Sequence, residues 1–254
     1  MHNILVIAQG TLVRQIRNKV LYLLIIISLC FVAVGSMYRV LSLGAEIKLM
    51  RDLGLAGISL IAMAVAVFVG SNEIGKEIRE GTVDDLLAKP LGRDEFILGK
   101  YLGTFIVAAL NIALITIGFV IILVWHKGTP ALGLLRSVVL SLCEAGILIA
   151  VAVFFTSFLP EAVSAVITFL FFVIGHGAHM LPLISDKSGE LPVKILSTAL
   201  FYILPNLHHF NVRASIGQEV QVPWAYTACS ILYGLCYTGM LLCVSLVVFR
   251  KREL

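Results

Sequence analysis

Glu144 is the side chain with the most chemical potential in this sequence. It lies near the middle of an apolar run, 134–158, and an ionisable group placed in hydrocarbon is expensive enough to mark a functional position. It could line a substrate path or bond across to Asn111 in the run 96–125; a protonated or hydrogen-bonded carboxyl that staples helices is the plainer reading. His176 and His179 form H-x-x-H near the end of another run, and His208-His209 follow in the next segment. An i,i+3 spacing puts two imidazoles on one helix face. Structural zinc, however, takes four ligands, and the H-E-x-x-H pattern is missing. Cys229, Cys236 and Cys243 recur every seven residues, which reads as a small-residue packing seam rather than a metal site. No Ser–His–Asp arrangement can be drawn. Neither catalytic nor metal-binding residues are expected.

The densest charge sits elsewhere. Residues 72–103, NEIGKEIREGTVDDLLAKPLGRDEFILGKYLG, hold seven acidic and five basic side chains. Lys76 and Glu80 are an i,i+4 ion pair, with Glu73 three residues before Lys76, so a helix should project here as a charged stalk. Gly81 suits its C-terminal cap. Thr82 with Asp85 nearly matches a capping box for a short helix over 83–89. That helix carries Leu86 and Leu87 on one side and Asp84 and Asp85 in its first turn, where the dipole favours them. Pro90 and Gly92 end it. Asp94 can cap the next helix, with Gly99-x-x-x-Gly103 for close packing. Such a foot, parallel to the membrane between two rigid helices, suits a lever pushed by something outside.

Composition dictates what holds these residues. The chain is 59% hydrophobic and 13% charged, with a mean hydropathy of +1.01, whereas a soluble domain carries about 25% charged residues. A bilayer core needs roughly 20 apolar residues per helix. Runs at about 20–38, 53–72, 96–125, 134–158, 162–182 and 226–249 qualify. The dyad alternation of a membrane β-barrel is absent. The expected fold is an all-α polytopic membrane protein of six transmembrane helices, one permease-like domain over 1–254. The run at 20–38 is longer than a secretory h-region, so it reads as a retained span. The five cysteines all fall in these runs, and no disulfide framework follows. Ala62-x-x-x-Ala66-x-x-x-Gly70 is a stripe for close helix approach, within the bundle or against another subunit.

Residues 1–19 place Ile4, Leu5, Ala8, Leu12 and Ile16 at helical spacing, an amphipathic helix for the inner interface or an inward extension of the first span. The outer segment 183–225 contains an apolar stretch, 195–204, too short to span and stopped by Pro205-Asn206, which reads as a re-entrant or outer helix. Glu161, after Pro160 at a short turn, reads as a cap or a solvated residue. With both termini inside, eleven Lys or Arg fall on the inner side and eight on the outer. Arg250-Lys251-Arg252 directly abuts a span, so cytoplasmic termini in the cell inner (plasma) membrane are favoured.

The run Glu77-x-x-x-Gly81-Thr82-x-x-x-Leu86-Leu87-x-Lys89-Pro90-x-x-Arg93, ending in Gly99-Lys100, resembles the coupling-helix region of ABC exporter permeases of the second class. Those subunits have six spans, an inner-interface helix and short outer helices between the fifth and sixth, and Leu204-Pro205-Asn206-Leu207 resembles stretches in some of them. The resemblance implies a permease subunit whose coupling residues are Glu80, Gly81, Thr82, Asp84, Asp85, Leu86, Leu87, Lys89, Pro90 and Arg93. Asp84 to Leu87 would dock on a separate ABC ATPase, with Glu80, Lys89 and Arg93 at the rim. It implies a second permease subunit, in a homodimer or heterodimer, with ATP and Mg bound by the partner ATPase and no cofactor in this chain. Consistently, Gly99-Lys100 is followed by Tyr101, so the G-x-x-x-x-G-K-[ST] phosphate cradle is absent. Lipid is the other partner, and nucleic acid is not expected. An intramembrane enzyme built on Glu144 and the histidines leaves the capped foot unexplained. A non-transporting assembly factor is the remaining alternative.

Overall fold

The computed structural model describes residues 2–18, 22–27, 30, 46–72, 75, 92–125, 132–181, 194–195, 197–198, 201, 204–211 and 223–250. Among them the chain is all-helical, with no strand. The elements are α1 (His2–Ile16), α2 (Glu46–Ala64, running on into a π-helical turn, Val65–Gly70), α3 (Arg93–Trp125), α4 (Leu132–Thr156), α5 (Glu161–Gly177, followed by a 3-10 turn, Ala178–Met180), a 3-10 turn at Leu207–Phe210, and α6 (Trp224–Arg250). Four of these are long and apolar enough to cross a membrane: Arg51–Gly70, Asp94–Trp125, Gly133–Thr156 and Trp224–Arg250. α5 is shorter at 17 residues, or about 25 Å at 1.5 Å per residue, and its 3-10 turn adds roughly 6 Å. Of the run 20–38, residues 22–27 and 30 are helical and the rest lies outside the described residues.

The helices alternate in direction, and side-chain contacts fix which ends share a side. At one end, a Cβ on Gly70 would meet that of Ala152 at 3.1 Å, and one on Gly75 would meet that of Glu161 at 2.7 Å. Ser157 bonds to Ser245 at 3.1 Å, and Phe96 stacks on Phe249 with centroids 6.0 Å apart. The end of α2, the start of α3, the end of α4, the start of α5 and the end of α6 therefore gather together. At the other end, Gly54 lies under the Phe119 ring, and Arg136 sits 4.2 Å over the Trp224 ring.

α4 is the central helix and packs against α2, α3, α5 and α6. Residues 144–153 are buried all round, as expected of a helix with no polar face beyond the one carboxyl. Ala145, Gly146, Ala150 and Ala152 keep it thin enough for four neighbours. The outer helices instead expose apolar faces, such as Ile106, Leu110, Leu114, Ile117 and Ile121 of α3.

Two sequence expectations change here. Ala62, Ala66 and Gly70 are all buried, with Gly70 against Ala152 of α4, so this stripe is used within the chain and not against another subunit. Cys229, Cys236 and Cys243 share a face but are exposed. The seam of α6 is the opposite face, Thr227, Ser230, Gly234, Thr238 and Ser245. The expected inward extension of the first span is also replaced: α1 ends at Ile16, and its last carbonyls are closed by Arg17 and Asn18.

Candidate functional site

Two polar constellations stand out, one at the end where α1 lies and one inside the bundle. At the first, α3 begins immediately after the charged segment. Gly92 caps it, and Glu95 at the third helical position reaches back to the Gly92 N–H at 3.4 Å, half of a capping box. Glu95 also accepts from Asn3 Nδ2 at 2.9 Å, which ties α1 to α3. Asp94 does not cap, as the sequence suggested. Its two oxygens accept from Arg250, Nε at 2.8 Å and a terminal nitrogen, joining α3 to the end of α6. Beneath this pair Phe96 and Phe249 stack, and Lys100 Nζ lies 5.8 Å from the centre of the Phe96 ring.

α1 runs alongside the first turns of α3 in the same direction. Gly99 takes Ile7, with a hypothetical Cβ 2.7 Å from its Cβ, and Gly103 takes Thr11 at the same separation. Gln15 Nε2 donates to Thr104 Oγ1 at 3.2 Å. The Gly99-x-x-x-Gly103 motif thus has its partner. Leu5, Val6, Val13 and Ile16 stay exposed on the far side of α1, which gives it apolar residues on both faces.

Of the coupling residues inferred from the sequence, Glu80, Gly81, Thr82, Asp84, Asp85, Leu86, Leu87, Lys89 and Pro90 lie outside the described residues, as does the Arg93 side chain. The structure does place both flanks. Asn72 ends the described part of α2 and Gly92 opens α3, at the same end of the bundle.

Inside the bundle, Glu144 is 1% exposed. Ser59 Oγ of α2 lies 3.2 Å from each carboxylate oxygen, and His176 Nε2 of α5 lies 3.5 Å from Oε1. His176 Nδ1 is 3.2 Å from the Phe172 carbonyl, and the two rings pack at 4.5 Å. Asn111 is also buried, but its amide donates to Val107 of its own helix at 3.3 Å. The bond across to Glu144 that the sequence left open is made by Ser59 and His176 instead. The staple reading of Glu144 gains three helices: α2, α4 and α5.

The remaining candidates are structural. Thr156, Ser157 and Ser164 bond one another's helices at the α4–α5 turn, with Thr156 Oγ1 to Ser164 Oγ at 2.8 Å. His208 and His209 are exposed, and the His209 ring sits among Tyr226 and Tyr233. Asn206 caps the last 3-10 turn by accepting from the His208 N–H at 3.2 Å, and its own N–H donates to Tyr233 Oη at 3.0 Å. Among the described residues no group of three His, Cys, Asp or Glu side chains converges as a metal site.

Comparison with protein families gives one match, the model described as ABC-2 family transporter protein, over residues 7–254. Comparison with curated proteins gives no match.

Proposed function

The chain belongs to the ABC-2 family of transporter proteins, a membrane-spanning ABC transporter permease, and from that premise we propose that it converts ATP hydrolysis by a separate ATPase subunit into movement of its helices. In this reading the segment 73–95 is the coupling foot, and Asp84, Asp85, Leu86 and Leu87 enter a groove of the ATPase. Glu80, Gly81, Thr82, Lys89, Pro90 and Arg93 shape its rim and ends. The end of the bundle that carries α1 faces the cytoplasm of the cell inner membrane. ATP and Mg belong to the ATPase, and two permease chains, each of six spans, enclose the route. Transport runs outward.

One observation carries the reading. The arm that returns from the foot is bound to two other helices within its first turn, through Asp94 to Arg250 and through Glu95 to Asn3. A push on the foot is thereby delivered to α1, α3 and α6 together rather than bending one helix end. Glu144 and Asn111, both buried, serve the packing of the moving bundle more directly than a lining of the route.

The test is co-purification. Leu86→Glu with Leu87→Glu should abolish capture of the ATPase and its transport-linked hydrolysis while the permease still folds. Undiminished capture by the doubly charged variant would remove the docking assignment.

A further inference from the structure

The carboxyl–imidazole contact inside the bundle constrains where protons sit. His176 Nδ1 lies 3.2 Å from the Phe172 carbonyl oxygen. A carbonyl only accepts, so Nδ1 carries the N–H. Nε2 then faces Glu144 Oε1 at 3.5 Å. Were Nε2 bare and Glu144 ionised, a lone pair would point at a carboxylate in a nearly dry apolar setting, with the charge uncompensated at that face. Ser59 has one hydroxyl proton, spread over both oxygens at 3.2 Å, and it lends no net charge. One more proton is needed between Oε1 and Nε2.

We infer that Glu144 and His176 form a proton-binding site: a neutral dyad that holds one proton in common between α4 and α5, with Ser59 orienting the carboxyl from α2. The proton on Nε2 gives carboxylate and imidazolium; the proton on Oε1 gives carboxyl and imidazole. The pair is neutral in both. Loss of the proton leaves one negative charge, and gain of a second leaves one positive charge, each disfavoured inside an apolar bundle. Attraction between the two helices is therefore greatest with one proton bound.

The surroundings are otherwise sparse in charge. α2 carries Arg51 and Asp52 two turns before Ser59; α3 offers Asn111 and Tyr101, the latter against Gly146. α4 adds Cys143, and α6, which meets it at Gly234, carries Tyr233 and Tyr237. His208 and His209 belong to the turn whose Leu207 seats on Gly175, one residue before His176. Proton occupancy thus acts at the point where the 205–210 segment is held to α5.

The experiment uses the full chain in lipid nanodiscs with nitrogen-15 histidine, read by magnetic resonance. The His176 signals among the six histidines are assigned by their loss in His176→Gln. The expected result is a protonated Nδ1 in the native chain, and a shifted Nε2 resonance with Nδ1–H retained in Glu144→Gln. Glu144→Asp, which keeps the carboxyl but withdraws it by one methylene, is the second variant should Glu144→Gln fail to fold, and it should shift Nε2 likewise. A bare Nδ1 in the native chain, or an Nε2 resonance unmoved by either folded variant, overturns the inference. No ATPase enters this measurement, so its failure leaves the transporter reading standing.

Discussion

Replacing Gly99 and Gly103 by alanine should release α1 from α3. Each new methyl would stand 2.7 Å from a side-chain carbon of α1, Ile7 Cβ or Thr11 Cβ, and 3.1 or 2.9 Å from the carbonyl oxygens of Ile4 and Ala8. Carbon pairs rest at about 3.5–4.0 Å, so α1 must retreat by roughly 1 Å along its whole contact. That retreat stretches the Gln15–Thr104 bond from 3.2 Å to about 4 Å, past useful hydrogen-bond range. Overpacking costs about 1–3 kcal/mol per site, and two sites on one face share their relief, so about 2–4 kcal/mol is expected for the pair. Hydrogen exchange of the α1 amides is the assay, because a docked helix opens locally with its own free energy. Protection should fall roughly 30- to 700-fold at tenfold per 1.4 kcal/mol. Gly10→Ala is the control. Nothing lies within 4 Å of a Cβ there, and it should raise protection slightly by stiffening the helix. Unchanged exchange in the double variant, or an equal loss in Gly10→Ala, would refute the packing account.

Two more outcomes follow from contacts already described. Gly175→Ala drives a methyl to within 2.8 Å of Leu207 Cγ and 2.9 Å of the Pro205 oxygen; it should unseat the 204–210 segment, seen as faster exchange at the Asn206 and His208 amides with α4 unchanged. Asp94→Arg alone should loosen the end of α6, and the swapped pair Asp94→Arg with Arg250→Asp should restore it, as judged by proteolysis after Phe249; no recovery would mean that the Phe96–Phe249 stack alone holds this junction.

The long helices were legible because an apolar run of this length has few alternatives in hydrocarbon. The runs 96–125, 134–158 and 226–249 lie within a few residues of α3, α4 and α6. The glycine pair on α3 was legible as a contact, but its partner was not, since a motif gives the depth of a groove and not the identity of what fills it. The cysteines misled for a related reason. Three small residues seven apart look alike whether they face in or out, and the deciding signal lay on the opposite face, in Thr227, Ser230, Gly234, Thr238 and Ser245. Glu144 could be singled out by its cost, yet Ser59 and His176 are met only once α2 and α5 are folded against α4. The π-helical turn left no trace at all, because nothing in VAVFVG departs from an ordinary apolar helix.

That wide turn governs direction. A π turn takes in one residue more than an α turn, and one residue corresponds to about 100° around the axis. Whatever continues from Gly70 therefore leaves the bundle on a bearing about a quarter-turn away from the one an unbroken α-helix would give. Were Val65–Gly70 to tighten into regular winding, the departing arm would swing like a crank while Ala62 stayed seated on α4. The aim of the foot is thus stored one helical turn inside the apolar layer, away from the surface it addresses.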